Sequence, residues 1–211
     1  MPARRRPIAS TRLAQLAQRS REAEPEGQEE RCELCGREIP PDHRHVLDLE
    51  AGELRCACRA CAILFDRRAA AQGSLRLVGN RRLRLVDFEL SDLAWERLRI
   101  PVDMAFFFRS SQAGRVQAFY PGPMGATESQ LGLEAWEQLE RENPVLATLE
   151  PDVEALLVNR ARGARQHFLV PIEDCYRLAG IIRTRWRGLT GGEEVWRQID
   201  GFFKEVAAWQ A

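Results

Sequence analysis

Five of the six cysteines fall within thirty residues, at Cys32, Cys35, Cys56, Cys58 and Cys61. Cys32 and Cys35 form one Cys-x-x-Cys pair, and Cys58 and Cys61 form another, with twenty-two residues between them. Two such pairs read as a four-cysteine metal site. A Cys-x-x-Cys turn brings two thiolates to one ion while backbone N–H groups point at the sulfurs. Two turns then supply four sulfurs in a tetrahedron, the geometry Zn2+ takes in closed sites. Gly36 follows Cys35, where a tight turn favours a residue able to adopt positive φ; the second pair has Ala62 at that place. The spacer alternates at His45–Leu49 and has turn-forming residues at Glu50–Glu53, which predicts an extended hairpin between the pairs.

Four thiolates also suit iron or an Fe–S cluster, and that alternative stands beside zinc. Disulfides are the competing use of cysteine. They belong to exported chains, and no export signal is visible, because Arg4–Arg6 is followed by no apolar segment. Cys56 lies two residues before Cys58, so on an extended segment it points to the same side. Cys56, His43 and His45 are read as residues lying behind the site or as substitute ligands. A nuclease of the His-Asn-His kind also places a histidine pair ahead of a cysteine turn. That mechanism needs a metal-binding His or Asn just after the second pair, where this chain has Ala62–Asp66.

The predicted fold class is α+β, a zinc-ribbon-like four-cysteine module followed by an antiparallel sheet with packed helices. Residues 1–31 read as a tail and linker: a basic start, a short helix over Ala9–Ser20, then an acidic run over Glu22–Glu30 with Pro and Gly. Residues 32–66 form the metal-binding module. A segment so small buries little apolar surface, so metal binding supplies its folding free energy. Residues 67–211 form the α+β domain, entered through a short helical connector over Asp66–Gln72.

In that domain, Leu75–Val78 and Leu83–Phe88 read as two strands about a turn at Gly79–Asn80. Ser91 caps a helix over Asp92–Leu98 that ends before Pro101. Residues 105–121 align without gaps on residues 155–171, fifty positions later, each an apolar strand, a Gly-containing turn, a second strand and a closing Pro. A helix follows each, over Leu133–Glu142 and Ile172–Trp186, so 103–142 and 153–187 are candidate ββα repeats. Trp136, Leu139, Tyr176, Ile181 and Ile182 are expected in the core. Phe106–Phe108 is apolar on both faces, the mark of a covered central strand. A closing helix over 193–209 carries an apolar stripe at Val195, Trp196, Ile199, Phe202, Phe203 and Val206. The Gly/Pro-rich stretch 121–129 reads as a surface loop over the sheet.

Catalytic groups outside the cysteine cluster are sparse. Glu173 and Asp174 open a helix, where acids complement the dipole. Cys175 beside them reads as a small buried residue in preference to a reactive thiol. No Ser/His/Asp arrangement or paired carboxylates emerge, so no catalytic residue is assigned. Formal net charge is zero, which supplies no general attraction to nucleic acid or anionic membrane. Arg81–Arg82 and Arg160–Arg165 are the hints of a nucleic-acid-binding zinc ribbon, the second alternative. No apolar run approaches the roughly eighteen residues of a membrane span. A cytoplasmic protein with reduced thiols is expected.

The residues also carry a resemblance. Cys32–Gly36, His43–Leu49 and Cys56–Cys61 resemble the N-terminal part of a family of uncharacterised proteins. Phe106–Ser111, Phe119–Pro121, Gly125–Ser129, Pro151–Leu157 and Trp186–Gly188 resemble its C-terminal part. Members of that family are typically encoded beside uptake [NiFe]-hydrogenase genes. The resemblance implies a hydrogenase-associated accessory role, in assembly, maturation or subunit interaction, with a hydrogenase subunit or maturation factor as protein partner. An iron or Fe–S electron carrier on the same cysteines is the alternative that fits this setting.

Overall fold

The computed structural model describes residues 30–65 and 73–209. The tail helix and the connector over Asp66–Gln72 lie outside these residues. From Arg31 onward the chain forms one compact unit built on two antiparallel sheets.

The smaller sheet has three strands: β1 (Arg44–Asp48), β2 (Glu53–Ala57) and β3 (Leu75–Leu77), in the order β2-β1-β3. The turn expected at residues 50–53 joins β1 to β2, with His45 opposite Cys56 and Leu47 opposite Leu54. Helix α1 (Arg59–Leu64) follows directly. Alternation sets the faces of the hairpin. Leu47, with Leu49 and Leu54, reaches the main core, and so does Val78 just after β3.

The larger sheet has six strands. They are β4 (Leu83–Arg84), β5 (Met104–Ser110), β6 (Arg115–Gly122), β7 (Gly125–Ser129), β8 (Glu154–Asn159) and β9 (Gln166–Pro171). Their order is β4-β9-β8-β5-β6-β7, antiparallel throughout. Strands β5 and β8 are central, and helices cover both faces. One face presents Phe106, Leu157, Phe168 and Val170 to α4 (Ile172–Arg185) and α5 (Gly192–Ala208). The other presents Phe107, Ala118, Leu156 and Leu169 to α2 (Asp92–Arg97) and α3 (Leu133–Glu142). This two-sided cover explains why Phe106 and Phe107 are both fully buried, and why the strand reads as a continuous apolar run.

Several local expectations meet their physical causes here. Ser91 Oγ accepts the Ala94 N–H and caps α2. The stripe on α5 buries Val195, Ile199, Phe202, Phe203 and Val206, while Trp196 is only partly covered. Cys175 is fully buried, and burial pushes its thiol well above the ordinary value. Tyr176 differs from expectation: it is 38% exposed, with its ring edge against Phe106.

Two stretches pair differently from the sequence reading. Residues 75–78 and 83–88 do not form a hairpin. β3 pairs with β1, and β4, only two residues long, pairs with β9. The intervening segment crosses from one sheet to the other and is pinned by ion pairs. Arg81 forks onto Glu154 at 2.9 and 2.6 Å, and Arg82 forks onto Asp174 at 2.6 and 3.1 Å. The stretch 121–129 is a tight hairpin in place of a loop. Gly122 pairs with Gly125, whose φ of 101° is open to glycine, and β7 forms the sheet edge.

The fifty-residue alignment falls on two hairpins, although its equivalent positions Phe106 and Leu156 lie on opposite faces of the sheet. Phe106 pairs with Phe119, and fifty residues later Leu156 pairs with Leu169, and all four strands lie in one sheet. The helices depart from it: α3 covers one face of the sheet and α4 the other. The first unit also interposes β7 between its hairpin and its helix.

His167 on β9 supplies a test of the packing. It is 6% exposed, its ring lies 4.8 Å from that of Phe88, and its Nε2 has no hydrogen-bond partner among the described residues. Burial, then the positive charges of Arg160 and Arg165, pull its pKa from 6.5 to about 4. Between these two values the unfolded chain binds a proton that the folded chain refuses, so stability falls as pH drops through that window. The loss approaches about 3 kcal/mol by pH 4. Urea midpoints at pH 7 and pH 4.5 are expected to converge in His167→Gln relative to the wild type.

Candidate metal centre

The two cysteine pairs are held by different local structures. Arg31 and Glu38 form an antiparallel bridge around the first, and Cys32 N–H donates to Arg37 O at 2.7 Å. Gly36 sits in this turn with φ of 74°, which a side chain rarely adopts. The second pair heads a helix. Cys58 is the N-cap of α1, its Sγ accepting the Cys61 N–H at 3.4 Å, and Ala62 N–H donates to Cys58 O at 2.9 Å. Ala62 therefore needs no positive φ, and the absence of a second glycine is explained. Glu33 N–H donates to Cys56 O at 2.9 Å, and Cys56 N–H donates to Glu33 Oε2 at 2.5 Å, tying the first turn to β2.

These elements bring Cys32, Cys35, Cys58 and Cys61 together, with all four sulfurs within 4.8 Å of one another. None of the six cysteines is in a disulfide. The Cys35–Cys58 sulfur separation is 3.7 Å. That is far beyond a covalent S–S bond of about 2.05 Å. It matches the edge of a tetrahedron with metal–sulfur bonds of about 2.3 Å, roughly 3.8 Å. The arrangement can hold a metal ion. Cys32 and Cys58 are buried, Cys61 is half-buried and Cys35 is exposed.

The electrostatics point the same way. Burial pushes the Cys32 thiol up, but the backbone N–H groups of Cys58, Leu34 and Cys35 outweigh it and hold it at about 6. The Cys61 N–H is the main cause that lowers Cys58. Cys61 is pushed up to about 12 by Cys58, then by burial, Cys35 and Cys32. Some thiolates are thus stabilised by the turns, while the last is kept protonated by its neighbours. A cation at the centre reverses that last effect, because it makes the charged form of every sulfur favourable.

A second group lies beside the first. A ring nitrogen of His43, a ring nitrogen of His45 and the sulfur of Cys56 are within 4.8 Å of one another. The two rings are 4.7 Å apart. The cross-strand register explains the meeting, since His45 is opposite Cys56 and His43 lies two residues before His45 on the same side. His43 Nδ1 is 2.9 Å from Pro40 O, and His45 Nδ1 is 2.8 Å from Glu173 Oε2. The sequence reading missed Glu173 in this role and saw only an acid in a helix first turn. Nothing local marks it, for it comes from α4, 128 positions beyond His45 by their numbers (173 less 45).

The other sequence candidates go elsewhere. Arg160 is buried, contacts Asp92 and stacks over Trp95; Arg165 reaches Asp92 at 2.8 Å; Arg162 stacks over Trp196 at 4.3 Å. With Arg81 and Arg82 paired to Glu154 and Asp174, these arginines serve internal contacts. Among the described residues, no helix is long and apolar enough to cross a membrane.

Fold and site together define an α+β protein with a four-cysteine cluster, able to hold a metal, ahead of an antiparallel sheet. The chain belongs to the family described as "Family of unknown function (DUF5947)", whose model matches residues 31–210. Neither the search of curated proteins nor that of solved structures returned a match.

Proposed function

We propose that this chain is a zinc-binding accessory protein of a [NiFe] hydrogenase, acting in assembly, maturation or subunit interaction. The observation that carries the metal half is the convergence of four cysteine sulfurs within 4.8 Å of one another, with Cys35 and Cys58 at 3.7 Å. Four thiolates close the coordination shell and leave no position for substrate, which is the mark of a structural zinc ion. The ion then fixes a hairpin and a helix whose inner face joins the main core through Leu47 and Leu54. The partner half rests on the family resemblance carried by Cys32–Gly36, His43–Leu49 and the C-terminal motifs. The internal pairing of Arg81, Arg82, Arg160 and Arg165 favours a protein partner over nucleic acid.

The test is affinity capture of the full chain from hydrogenase-expressing cells under reducing conditions. A hydrogenase subunit or maturation factor is expected in the eluate, and its absence overturns the partner assignment. Metal analysis of the same protein, purified without oxygen, reads the other half. Zinc without visible colour is expected. Iron with a thiolate charge-transfer band would make the cluster an electron carrier instead.

A further inference from the structure

We propose that His43, His45 and Cys56 form a second zinc site, separate from the four-thiolate site and open at one position. The inference goes beyond the accessory function and does not depend on it.

Three observations carry it. The first is convergence. Two ring nitrogens and one sulfur lie within 4.8 Å of one another. In a tetrahedral zinc site with two nitrogen ligands and one sulfur, the corresponding edges are about 3.3 to 3.7 Å. A modest contraction onto an ion closes that gap.

The second is tautomer control. A carbonyl oxygen only accepts, so His43 Nδ1 carries a hydrogen and donates it to Pro40 O at 2.9 Å. The Glu173 carboxylate likewise accepts from His45 Nδ1 at 2.8 Å. In both neutral rings the lone pair then sits on Nε2. A metal-binding histidine is oriented in this way, its far N–H held by a carbonyl or a carboxylate. Glu173 is itself held near Arg82, at 3.8 Å, so the orienting carboxylate is fixed from the main domain.

The third is space nearby. A cleft of about 470 Å3 lined by Pro40, Asp42, His43, Arg44, Cys58 and Arg59, among others, runs beside the His43 ring, whose Nε2 is itself buried; His45 and Cys56 do not line it. Three protein ligands leave a fourth position, which water or a small anion fills in zinc sites of this type. Imidazole and thiolate donors together suit zinc better than the hard cations magnesium and calcium.

Glu173 is a positioning residue in this scheme, acting through His45. The proposal also gives Cys56 a use separate from the Cys-x-x-Cys pairs.

The experiment is zinc binding to the purified full chain, dialysed against Zn2+ buffered at rising free concentration, with ions per chain counted by mass spectrometry. Two steps are expected, a tight one at the four cysteines and a weaker one at the histidines. Cys56→Ser and His45→Ala should each abolish the weaker step and leave the tight one in place. Glu173→Gln, which preserves shape, should keep both steps and weaken the second by about 10- to 100-fold. A wild-type chain that takes up one ion overturns the proposal. So does a second step that is unchanged in Cys56→Ser, His45→Ala and Glu173→Gln. Loss of the tight step with the weaker one intact would count against the four-thiolate reading alone.

Discussion

Removal of the ion from the four cysteines is expected to unfold residues 31–65 and to lower the melting temperature of the whole chain. Structural zinc sites contribute on the order of 10 kcal/mol of apparent binding free energy at neutral pH. The cysteine turns themselves have little else to hold them. Their own buried cluster consists of Cys32, Ile39 and Cys58, with Leu34, Cys56 and Cys61 packed alongside. The effect should spread, because Leu47, Leu49, Leu54 and Val78 belong to the same core as Phe106 and Phe168. Losing part of that contact, about 3 to 5 kcal/mol, corresponds to a fall of roughly 6 to 20 °C in a chain of this size. Calorimetry with and without a strong chelator measures it, and Cys58→Ser should reproduce the chelated value. An unchanged melting temperature would show that the hairpin stands without metal. Zinc uptake should also release protons. Cys61, pushed up to about 12, is protonated at neutral pH and must lose its proton to join the ion. Zinc affinity should accordingly weaken as pH falls.

The second large effect is expected from Arg82→Ala. Asp174 is 2% exposed, and Arg82 contacts both of its carboxylate oxygens, at 2.6 and 3.1 Å. Arg177 also reaches Asp174, but at 3.4 Å and from a more exposed position. Removing one partner of a buried pair leaves a charge without compensation and costs about 3 to 5 kcal/mol. Arg177 should hold the loss to the lower end. Replacing both partners with apolar residues, Arg82→Met with Asp174→Leu, should recover most of it, because the desolvation cost of the pair then disappears as well. Urea denaturation of the three proteins separates the contributions. If Arg82→Ala costs less than about 1 kcal/mol, as an exposed pair would, the pin between the two sheets is not a structural one. The guanidinium also stacks over Trp209 at 4.8 Å, so part of the loss should appear at the end of α5.

Elements set by local rules were legible before the structure. The four-cysteine cluster follows from spacing alone. Helices α2 and α3 follow from a cap, a proline or an amphipathic stripe within a few residues of their ends. The covered strand at Phe106 follows from its apolar run. Partnership between distant segments was not legible. Nothing in Leu75–Leu77 records that it pairs with β1, because a short apolar run fits any sheet edge. Arg82 and Asp174 are 92 positions apart, and no periodicity links them. The His43, His45 and Cys56 group is an intermediate case. A turn at residues 50–53 already sets His45 opposite Cys56, so the register alone contains the meeting. The acid that orients His45 comes from a separate helix and could not be found that way.

The strand order β2-β1-β3 bears on how this family can be dissected or recombined. The hairpin between the cysteine pairs borrows its third strand from residues 75–77, past the last cysteine of the cluster. A cut at residue 66 would therefore leave β1 with a bare edge and would orphan β3 on the remaining fragment. Unpaired edges of this kind invite pairing with other chains. A cysteine-rich fragment made for expression or grafting should extend through Val78. Even then Val78 and Leu47, at home in the larger core, would face water. The module is thus no portable cassette: its third strand runs on, within a few residues, into the edge strand of the six-stranded sheet.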